Sequence, residues 1–341
     1  MLVTARTHAW HKLHPKTVAC HSGDATVDII DDAGVRANSE LFLNSRNGSF
    51  PVRFLADIDD LLVPFFNGFF CLKEAFVSFD RIEAQHFAEG VARDAGQLLL
   101  DWQGRVHPRE KGPSDLVTEA DFASQRLIAD AITARYPDHS LLAEEEDVVA
   151  DPAKSFHWVV DPLDGTINYA HKLPFWCVSI GLRLDGDPVL GVIYDPIADR
   201  MFSASKGAGA TLNGEPIHVS ATERLSASLI STGLPTSFSA DAERQLALFR
   251  AFSDGTHSVR RTGSTALNLA FVAWGAFELF YATSVKAWDI AAGLVIVREA
   301  GGSVTRLDGS EFDFERPGIL AGNGRVDREA RARALEAWPT L

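Results

Sequence analysis

The chain has 341 residues, 46% of them hydrophobic, so it can bury a large core in one big domain or two modest ones. Its 46 acidic and 32 basic residues give a formal net charge of -14, which argues against nonspecific binding to nucleic acid. The cysteines (Cys20, Cys71 and Cys177) are far apart and form no CxxC pair. This spacing argues against a disulfide framework or a structural zinc site, and it fits a reducing cytoplasm.

Residues 1–78 show poor helical or strand periodicity, and turn-forming residues are scattered through them. No apolar secretory segment is visible, and the most apolar run, 61–72, is far shorter than the roughly 20 residues that a membrane span needs. We therefore expect no membrane association. The pattern predicts an N-terminal extension of unknown role, poorly ordered or loosely docked. The alternative is a small appended module that covers an interface through Phe65, Phe66, Phe69 and Phe70.

Regular patterns begin near residue 79. Apolar residues at helical spacing predict a helix over 82–102, followed by a polar Gly/Pro loop at 105–114 and a second helix over 119–136. Short apolar runs then predict strands in what looks like an antiparallel meander, at 140–143, 157–160, 177–184, 189–194 and 200–204.

The C-terminal third alternates between strand and helix patterns. Strands are predicted at 229–232, 259–261, 277–281, 303–306 and 319–321. Helices are predicted at 240–252, 265–274, 289–300 and 327–337. Mixed sheets layered with helices indicate an α/β or α+β sandwich, and residues 79–341 are expected to form it as one catalytic domain.

Four acidic segments stand out, at 115–121, 144–146, 161–168 and 288–293. Each has a purely local explanation. Thr118 and Asp121 fit a helix capping box, and the glutamate run fits a solvated loop. Asp164 with Gly165 fits a tight turn, and Asp289 fits an N-cap. The composition alone leaves these alternatives open.

The contexts of these segments favour a shared site. An apolar strand runs directly into Asp161, and another runs into Glu144. Carboxylates at the ends of buried elements repel each other unless a cation lies between them, and Mg²⁺ prefers oxygen ligands. Asp161 and Asp164, three residues apart around a proline, can converge on one point together with the carbonyl of Leu163. Gly165 then opens a turn whose amides could face a phosphate.

These segments resemble the inositol monophosphatase family of metal-dependent, lithium-sensitive sugar phosphatases. The family's DPxDGTxN signature matches residues 161–168, and its WDxAAG signature matches 288–293 with an EAGG tail at 299–302. The DxVTxxD segment matches 115–121. The resemblance covers about residues 79–341 and implies a layered α-β-α-β-α sandwich, usually assembled as a homodimer.

The resemblance also implies two or three Mg²⁺ ions per active site. Glu144, Asp161 and the Leu163 carbonyl would bind one ion, and Asp161, Asp164 and Asp289 a second. A third, weaker ion would lie near Glu144. Asp164 and Asp289 would thereby also face the phosphate.

The remaining roles implied by the resemblance concern water and phosphate. Thr166 and Asp121, with Glu145 nearby, would position and deprotonate the attacking water. The amides of Gly165 and Thr166 would hold the phosphate at the start of a helix. Lys111 would lie in a mobile loop that approaches the metals.

Two departures from the family pattern concern the ligands and the substrate. The usual Gly-Glu-Glu is Ala143-Glu144-Glu145 here, so the ligand register could slip by one, and we favour Glu144. Inositol-preferring members carry a glutamate seven residues before the WD aspartate, where this chain has Ala282.

The expected activity is therefore Mg²⁺-dependent hydrolysis of inositol monophosphate or a similar small polyol phosphate by metal-activated water. Histidinol phosphate is the main alternative substrate, and fructose 1,6-bisphosphate and 3'-phosphoadenosine phosphate are others. An alternative of a different class is a binding partner of the transcription or ribosome-assembly machinery.

Overall fold

A computed structural model of the protein describes residues 18–20, 25–27, 41–45, 48–52, 62–65, 68–71, 79–105, 108–112, 115–145, 151–234, 241–314, 316 and 318–339. The chain divides into two units, Met1–Asp80 and Arg81–Leu341. The described parts of the first unit pair as antiparallel hairpins: β1 (Val18–Cys20) with β2 (Ala25–Val27), β3 (Leu41–Ser45) with β4 (Gly48–Val52), and β5 (Leu62–Phe65) with β6 (Gly68–Cys71). The poor order expected for 1–78 stays a prediction, and the side chains of the residues expected to cover an interface lie outside the described part of the structure: Phe65, Phe66, Phe69 and Phe70.

The second unit alternates helices and strands. Its helices are α1 (Arg81–Trp102), α2 (Glu119–Arg135), α3 (Thr166–Ala170), α4 (Ala242–Ser253), α5 (Thr265–Ala273), α6 (Ala287–Glu299) and α7 (Asp327–Ala337). Its strands are β7 (Arg109–Gly112), β8 (Asp115–Val117), β9 (Ser140–Ala143), β10 (Phe156–Asp164), β11 (Cys177–Leu184), β12 (Asp187–Asp195), β13 (Arg200–Ser205), β14 (Gly209–Leu212), β15 (Glu215–Ile217), β16 (Leu229–Gly233), β17 (Ser258–Arg260), β18 (Leu279–Ala282), β19 (Ser303–Thr305) and β20 (Ile319–Gly322).

Two sheets form the frame of this unit. The larger has the order β15-β14-β13-β12-β11-β10-β9, antiparallel except that β9 runs parallel to β10. The smaller has the order β17-β16-β18-β20-β19, with β16 parallel to both of its neighbours.

Helices cover both faces of each sheet. On one face of the large sheet, α1 packs on β11, β12 and β13, and α2 packs on β10. Between the sheets, α5 and α6 bury an apolar cluster that joins Phe202 of the large sheet to Phe280 of the small one. On the outer face of the small sheet, α4 and α7 bury Phe252 and Ala330 against Leu279. The expected α-β-α-β-α sandwich is confirmed.

The central helix α6 lies unusually close to the large sheet because the residues in contact are small. A Cβ on Gly191 would lie 2.2 Å from the carbonyl oxygen of Ala292, and one on Gly181 would lie 2.9 Å from Cβ of Ala291. On the opposite side of the helix, a Cβ on Gly293 would lie 2.5 Å from Leu269 of α5. The Ala-Ala-Gly run therefore lets one helix fit tightly between a sheet and another helix.

The structure corrects several details of the sequence prediction. The interval 105–114 is not all loop, because β7 and β8 pair as an antiparallel hairpin. The middle section is not wholly antiparallel, since β10 runs parallel to β9. The strands β14 and β15 were not predicted. Among the helices in the described ranges, none combines the length and apolarity needed to cross a bilayer.

Candidate active site

A bulge in β10 brings Asp161 and Asp164 to one face of the large sheet. Asp161 lies opposite Ser179 of β11 and Asp164 opposite Cys177, so three steps along β10 match two along β11. Side chains alternate along a strand, and Ser179 and Cys177 therefore share a face, which their partners must share too. Pro162 lies within the bulge and has no amide hydrogen to donate to the ladder. The bulge thus allows two aspartates that are three residues apart to point to the same face of the sheet.

Glu144 and Glu145 follow β9 at the same edge of the sheet. Ala143 and Val160 form the last pair between the two parallel strands, and the residue after each of them is an acid, Glu144 after Ala143 and Asp161 after Val160. The backbone of Glu145 is held by the side-chain amide of Gln125, whose Oε1 accepts from the Glu145 amide at 2.8 Å and whose Nε2 donates to its carbonyl. Glu145 is buried and Glu144 partly exposed.

Asp121 connects the start of α2 to the residue that follows the acidic turn. Its Oδ2 accepts hydrogen bonds from the amide and hydroxyl of Thr118, at 2.8 and 2.6 Å, which completes a capping box. Its Oδ1 accepts from the Thr166 hydroxyl at 3.1 Å. That hydroxyl also lies 3.1 Å from the Leu163 carbonyl oxygen. The same carboxylate therefore caps α2 through one oxygen and binds Thr166 through the other. Burial raises the pKa of Asp121.

Asp164 ends β10, and its side chain reaches the N-terminus of α5. Its Oδ2 accepts from the Ser264 hydroxyl at 2.5 Å and from the Ala266 amide at 2.6 Å, and its Oδ1 accepts from the Thr265 amide at 3.2 Å. The thiol of Cys177 is a further donor, 3.7 Å from Oδ2. These bonds favour the ionised carboxylate, but burial outweighs them and raises its pKa.

Asp289 lies in the first turn of α6. Its Oδ2 accepts from the Lys286 amide at 2.8 Å, so it caps the helix as well as facing the acidic cluster. Solvent reaches part of the residue, but protein atoms surround the carboxylate. Desolvation, opposed by the hydrogen bond and reinforced by the charge of Asp164, raises the pKa of Asp289 to about 7.

The charges of four carboxylates act on one another at this edge. Burial raises the pKa of Asp161 well above its usual range, and the negative charges of Glu144, Asp164 and Asp289 raise it further. In the described residues, no three His, Cys, Asp or Glu side chains are drawn together as a ready-made metal cage. The donor set nonetheless fits a hard divalent cation, since Mg²⁺ takes a few carboxylate oxygens and keeps several waters.

Gly165 makes the turn between β10 and α3 possible. Its backbone φ is +96°, a conformation that residues other than glycine rarely adopt. A Cβ at this position would lie 3.1 Å from the carbonyl oxygen of Phe175. Thr166 follows as the first residue of α3. Asn168 then fixes the short helix, because its side-chain amide donates to the carbonyls of Phe175 and Thr262.

Two further sequence-predicted residues lie in other strands. Lys111 lies in β7, but its side chain, like that of Asp115, is outside the described part of the structure. Ala282 ends β18 and is 1% exposed. The next residue, Thr283, has its hydroxyl oxygen 2.5 Å from Nε2 of Gln245 on α4.

Sequence reasoning missed the residues that hold the acids in place. Ser124 donates to the Pro162 carbonyl at 2.8 Å, Gln125 clamps Glu145, and Ser264 holds Asp164. A signal was available on α2, where Asp121, Ser124 and Gln125 are polar residues at i, i+3 and i+4 and are all buried. No such sequence spacing marks Ser264, because its partner Asp164 lies 100 positions earlier in the chain.

Known proteins resemble this chain in sequence and in fold. The sequence profile of the inositol monophosphatase family matches residues 80–339. The chain is 42% identical over 247 residues to the inositol-1-monophosphatase of Synechocystis sp., covering 72% of this chain and 86% of that protein. It is 36% identical to the Nus factor SuhB of Escherichia coli strain K12, covering 71% and 91%. The crystal structure of the extragenic suppressor protein suhB from Bartonella henselae matches with a TM-score of 0.71 and 34% identity, covering 74% and 98%.

Proposed function

The chain belongs to the inositol monophosphatase family and is a phosphomonoester hydrolase, and we propose that it uses Mg²⁺ at the acidic edge of the large sheet to hydrolyse a small polyol phosphate. The observation that carries the proposal is the burial of Asp161 beside three further carboxylates, whose charges all disfavour its ionised form. A cation among these groups would turn mutual repulsion into attraction.

The proposed cation ligands are the carboxylates of Glu144, Asp161, Asp164 and Asp289 and the carbonyl of Leu163. Glu144 is favoured over Glu145 because its charge acts on Asp161, whereas the backbone of Glu145 is tied to Gln125. Mg²⁺ bound there would lower the pKa of a coordinated water and neutralise charge on the phosphate. Two or three ions per site remain the expectation.

Thr166 and Asp121 are the proposed water-activating pair. The Thr166 hydroxyl donates to Asp121, so its oxygen lone pairs can accept a hydrogen bond from the attacking water. As the water oxygen bonds to phosphorus, its proton passes to Thr166 while the threonine proton passes to Asp121. The alcohol leaves and takes a proton from solvent. Burial raises the pKa of Asp121, which brings this base closer to the pH at which it must act.

The remaining proposed contacts hold the phosphate. The amides of Gly165 and Thr166 would face it from the start of α3, Asp164 and Asp289 would hold the cation that it binds, and Lys111 would be a further contact. Glu145 would act as a supporting carboxylate for the water-activating pair.

The substrate proposal is a polyol phosphate without a strict requirement for inositol. Ala282 offers no carboxylate for a ring hydroxyl, and it is buried at the end of β18. The hydroxyl of Thr283, held by Gln245, is the neighbouring polar group that could make a weaker contact. Histidinol phosphate, fructose 1,6-bisphosphate and 3'-phosphoadenosine phosphate therefore stay as alternatives.

A substrate panel tests this proposal. Purified protein with Mg²⁺ should release phosphate from at least one small monoester, and release should stop when the metal is chelated. Inositol 1-phosphate and histidinol phosphate, assayed side by side, distinguish the leading substrate from the main alternative. Inactivity towards the whole panel, with a folded protein, would contradict the enzymatic proposal.

A second candidate function is a binding role in transcription or ribosome assembly. It is favoured by the similarity to the E. coli protein named Nus factor SuhB. A variant without phosphatase activity separates the two roles, because it should still replace the wild-type gene in cells if binding is the main function.

Three further expectations stay proposals: a homodimer, a cytoplasmic location and a boundary between the N-terminal extension and the catalytic domain at 78/79. Sedimentation of the purified chain tests the first. Deletion of residues 1–78 tests the last, since a separate extension should be removable without loss of solubility or phosphate release.

A further inference from the structure

Ser179 of β11 is a buried hydroxyl that makes no hydrogen bond within the described residues. The side chain is 0% exposed, and its Oγ has neither a protein donor nor a protein acceptor. Burying a polar group without a partner costs free energy, so most buried hydroxyls in folded proteins are paired. An unpaired hydroxyl beside a candidate active site therefore calls for a functional explanation.

The position of Ser179 supplies that explanation. It is the cross-strand partner of Asp161, just as Cys177 is the partner of Asp164. Cys177 already donates to its aspartate across the strands. Because of the bulge in β10, both pairs face the same side, so the Ser179 hydroxyl and the Asp161 carboxylate share a face at cross-strand distance. A Cβ on Gly181, two residues further along β11, would lie 2.9 Å from α6, which places this face towards the helix that carries Asp289.

Asp161 has the greater need of a donor. Among the described residues, its carboxylate accepts one hydrogen bond, at 3.0 Å from the Leu163 amide to Oδ1. The Asp164 carboxylate accepts from three protein groups besides the Cys177 thiol. The charged groups that act on Asp161 are carboxylates, which repel its negative charge. Ser179, opposite Asp161 on β11, is a neutral group that can donate a hydrogen bond.

We propose that Ser179 is a positioning residue for Asp161: when the cation is bound, its hydroxyl donates to the carboxylate and fixes the orientation in which Asp161 binds the cation. This inference rests on the proposed function. It assigns Ser179 no contact with the substrate and no part in proton transfer.

The test compares Ser179→Ala with Ser231→Ala. Ser231 is a matched control because it is also a serine with 0% exposure and an unpaired Oγ, but it lies in β16 of the other sheet. Mg²⁺ binding is measured by calorimetry and by the rise in melting temperature that Mg²⁺ produces. We expect Ser179→Ala to weaken Mg²⁺ binding about tenfold, the lower end of the effect of losing a group that orients a metal ligand.

The same variants separate positioning from structure. Without Mg²⁺, Ser179→Ala should be at least as stable as the wild type, because the hydroxyl it loses makes no bond. At saturating Mg²⁺, its kcat should stay within about twofold of the wild type, since only metal affinity changes. Ser231→Ala should bind Mg²⁺ as the wild type does.

Two results would overturn the inference: unchanged Mg²⁺ affinity in Ser179→Ala, or an equal loss of stability with and without Mg²⁺. Asp161→Asn distinguishes this failure from failure of the proposed function. If Asp161→Asn loses Mg²⁺ binding and Ser179→Ala does not, only the role of Ser179 is wrong. If Asp161→Asn binds Mg²⁺ like the wild type, the proposed metal ligands are wrong.

Discussion

Ser264→Ala tests whether one hydroxyl holds the acidic cluster to the core. Ser264 is the N-cap of α5 and is 1% exposed. Its oxygen accepts from the Leu267 amide at 3.2 Å and donates to Asp164 at 2.5 Å. Loss of an N-cap side chain costs about 1 kcal/mol. Loss of a hydrogen bond to a charged group costs about 1.5–3 kcal/mol. We therefore expect the free energy of unfolding to fall by about 2–4 kcal/mol.

Urea unfolding of the metal-free protein measures this loss. Ser264→Gly is the informative control, because glycine keeps most of the stability of an N-cap and loses only a few tenths of a kcal/mol there. The glycine variant should still lose about 1.5–3 kcal/mol through the missing bond to Asp164. A loss under about 1 kcal/mol in Ser264→Ala would refute the reasoning, because both bonds would then contribute almost nothing.

Two other predictions concern pH and packing. Burial lowers the pKa of His139 to about 4, and its Nδ1 accepts from the Trp158 indole at 3.0 Å. Because the unfolded chain binds the proton more readily, stability should fall as pH drops from 6.5 towards 4, by about 1 kcal/mol between pH 7.5 and 5 after allowing for the half-exposed ring. His139→Asn should remove this part of the pH dependence in denaturant titrations, and an unchanged dependence would contradict the assignment. Gly191→Ala should lower stability by about 1–3 kcal/mol or more, since its Cβ would lie 2.2 Å from a backbone oxygen of α6. Gly90 lies in an exposed helical position, where an added Cβ would meet nothing within 4 Å, so Gly90→Ala should instead raise the melting temperature. Equal changes in the stability of the two alanine variants would argue against close packing at Gly191.

Elements with strong periodicity could be predicted from the sequence, and short polar ones could not. The helix α1 was found because its apolar residues recur at helical spacing. The hairpin of β7 and β8 was taken for a loop because Arg109–Gly112 is wholly polar, so neither alternation nor apolarity marks it. The strands β14 and β15 flank Asn213-Gly214, a recognised hairpin turn, which was a usable signal.

The acids of the candidate site could be singled out from the sequence because Glu144 and Asp161 follow apolar runs and Asp289 begins an apolar helix. Their supports were not predictable, since the bond from Ser264 to Asp164 joins residues far apart in the chain. The bulge that turns Asp161 and Asp164 to one face also depends on pairing with β11, which a single strand pattern does not reveal. Sequence motifs thus locate the acids, while tertiary packing determines how they are held.

Asp161→Asn provides the most direct test of the proposed metal-dependent phosphatase site. The asparagine oxygen can still accept the bond from the Leu163 amide, and the variant removes a charge that three neighbouring acids oppose. We predict that the metal-free variant is at least as stable as the wild type, while Mg²⁺-dependent phosphate release falls more than about 100-fold, beyond the effect of losing a group that only orients a ligand. A folded variant that retains wild-type phosphate release and Mg²⁺ dependence would contradict the account.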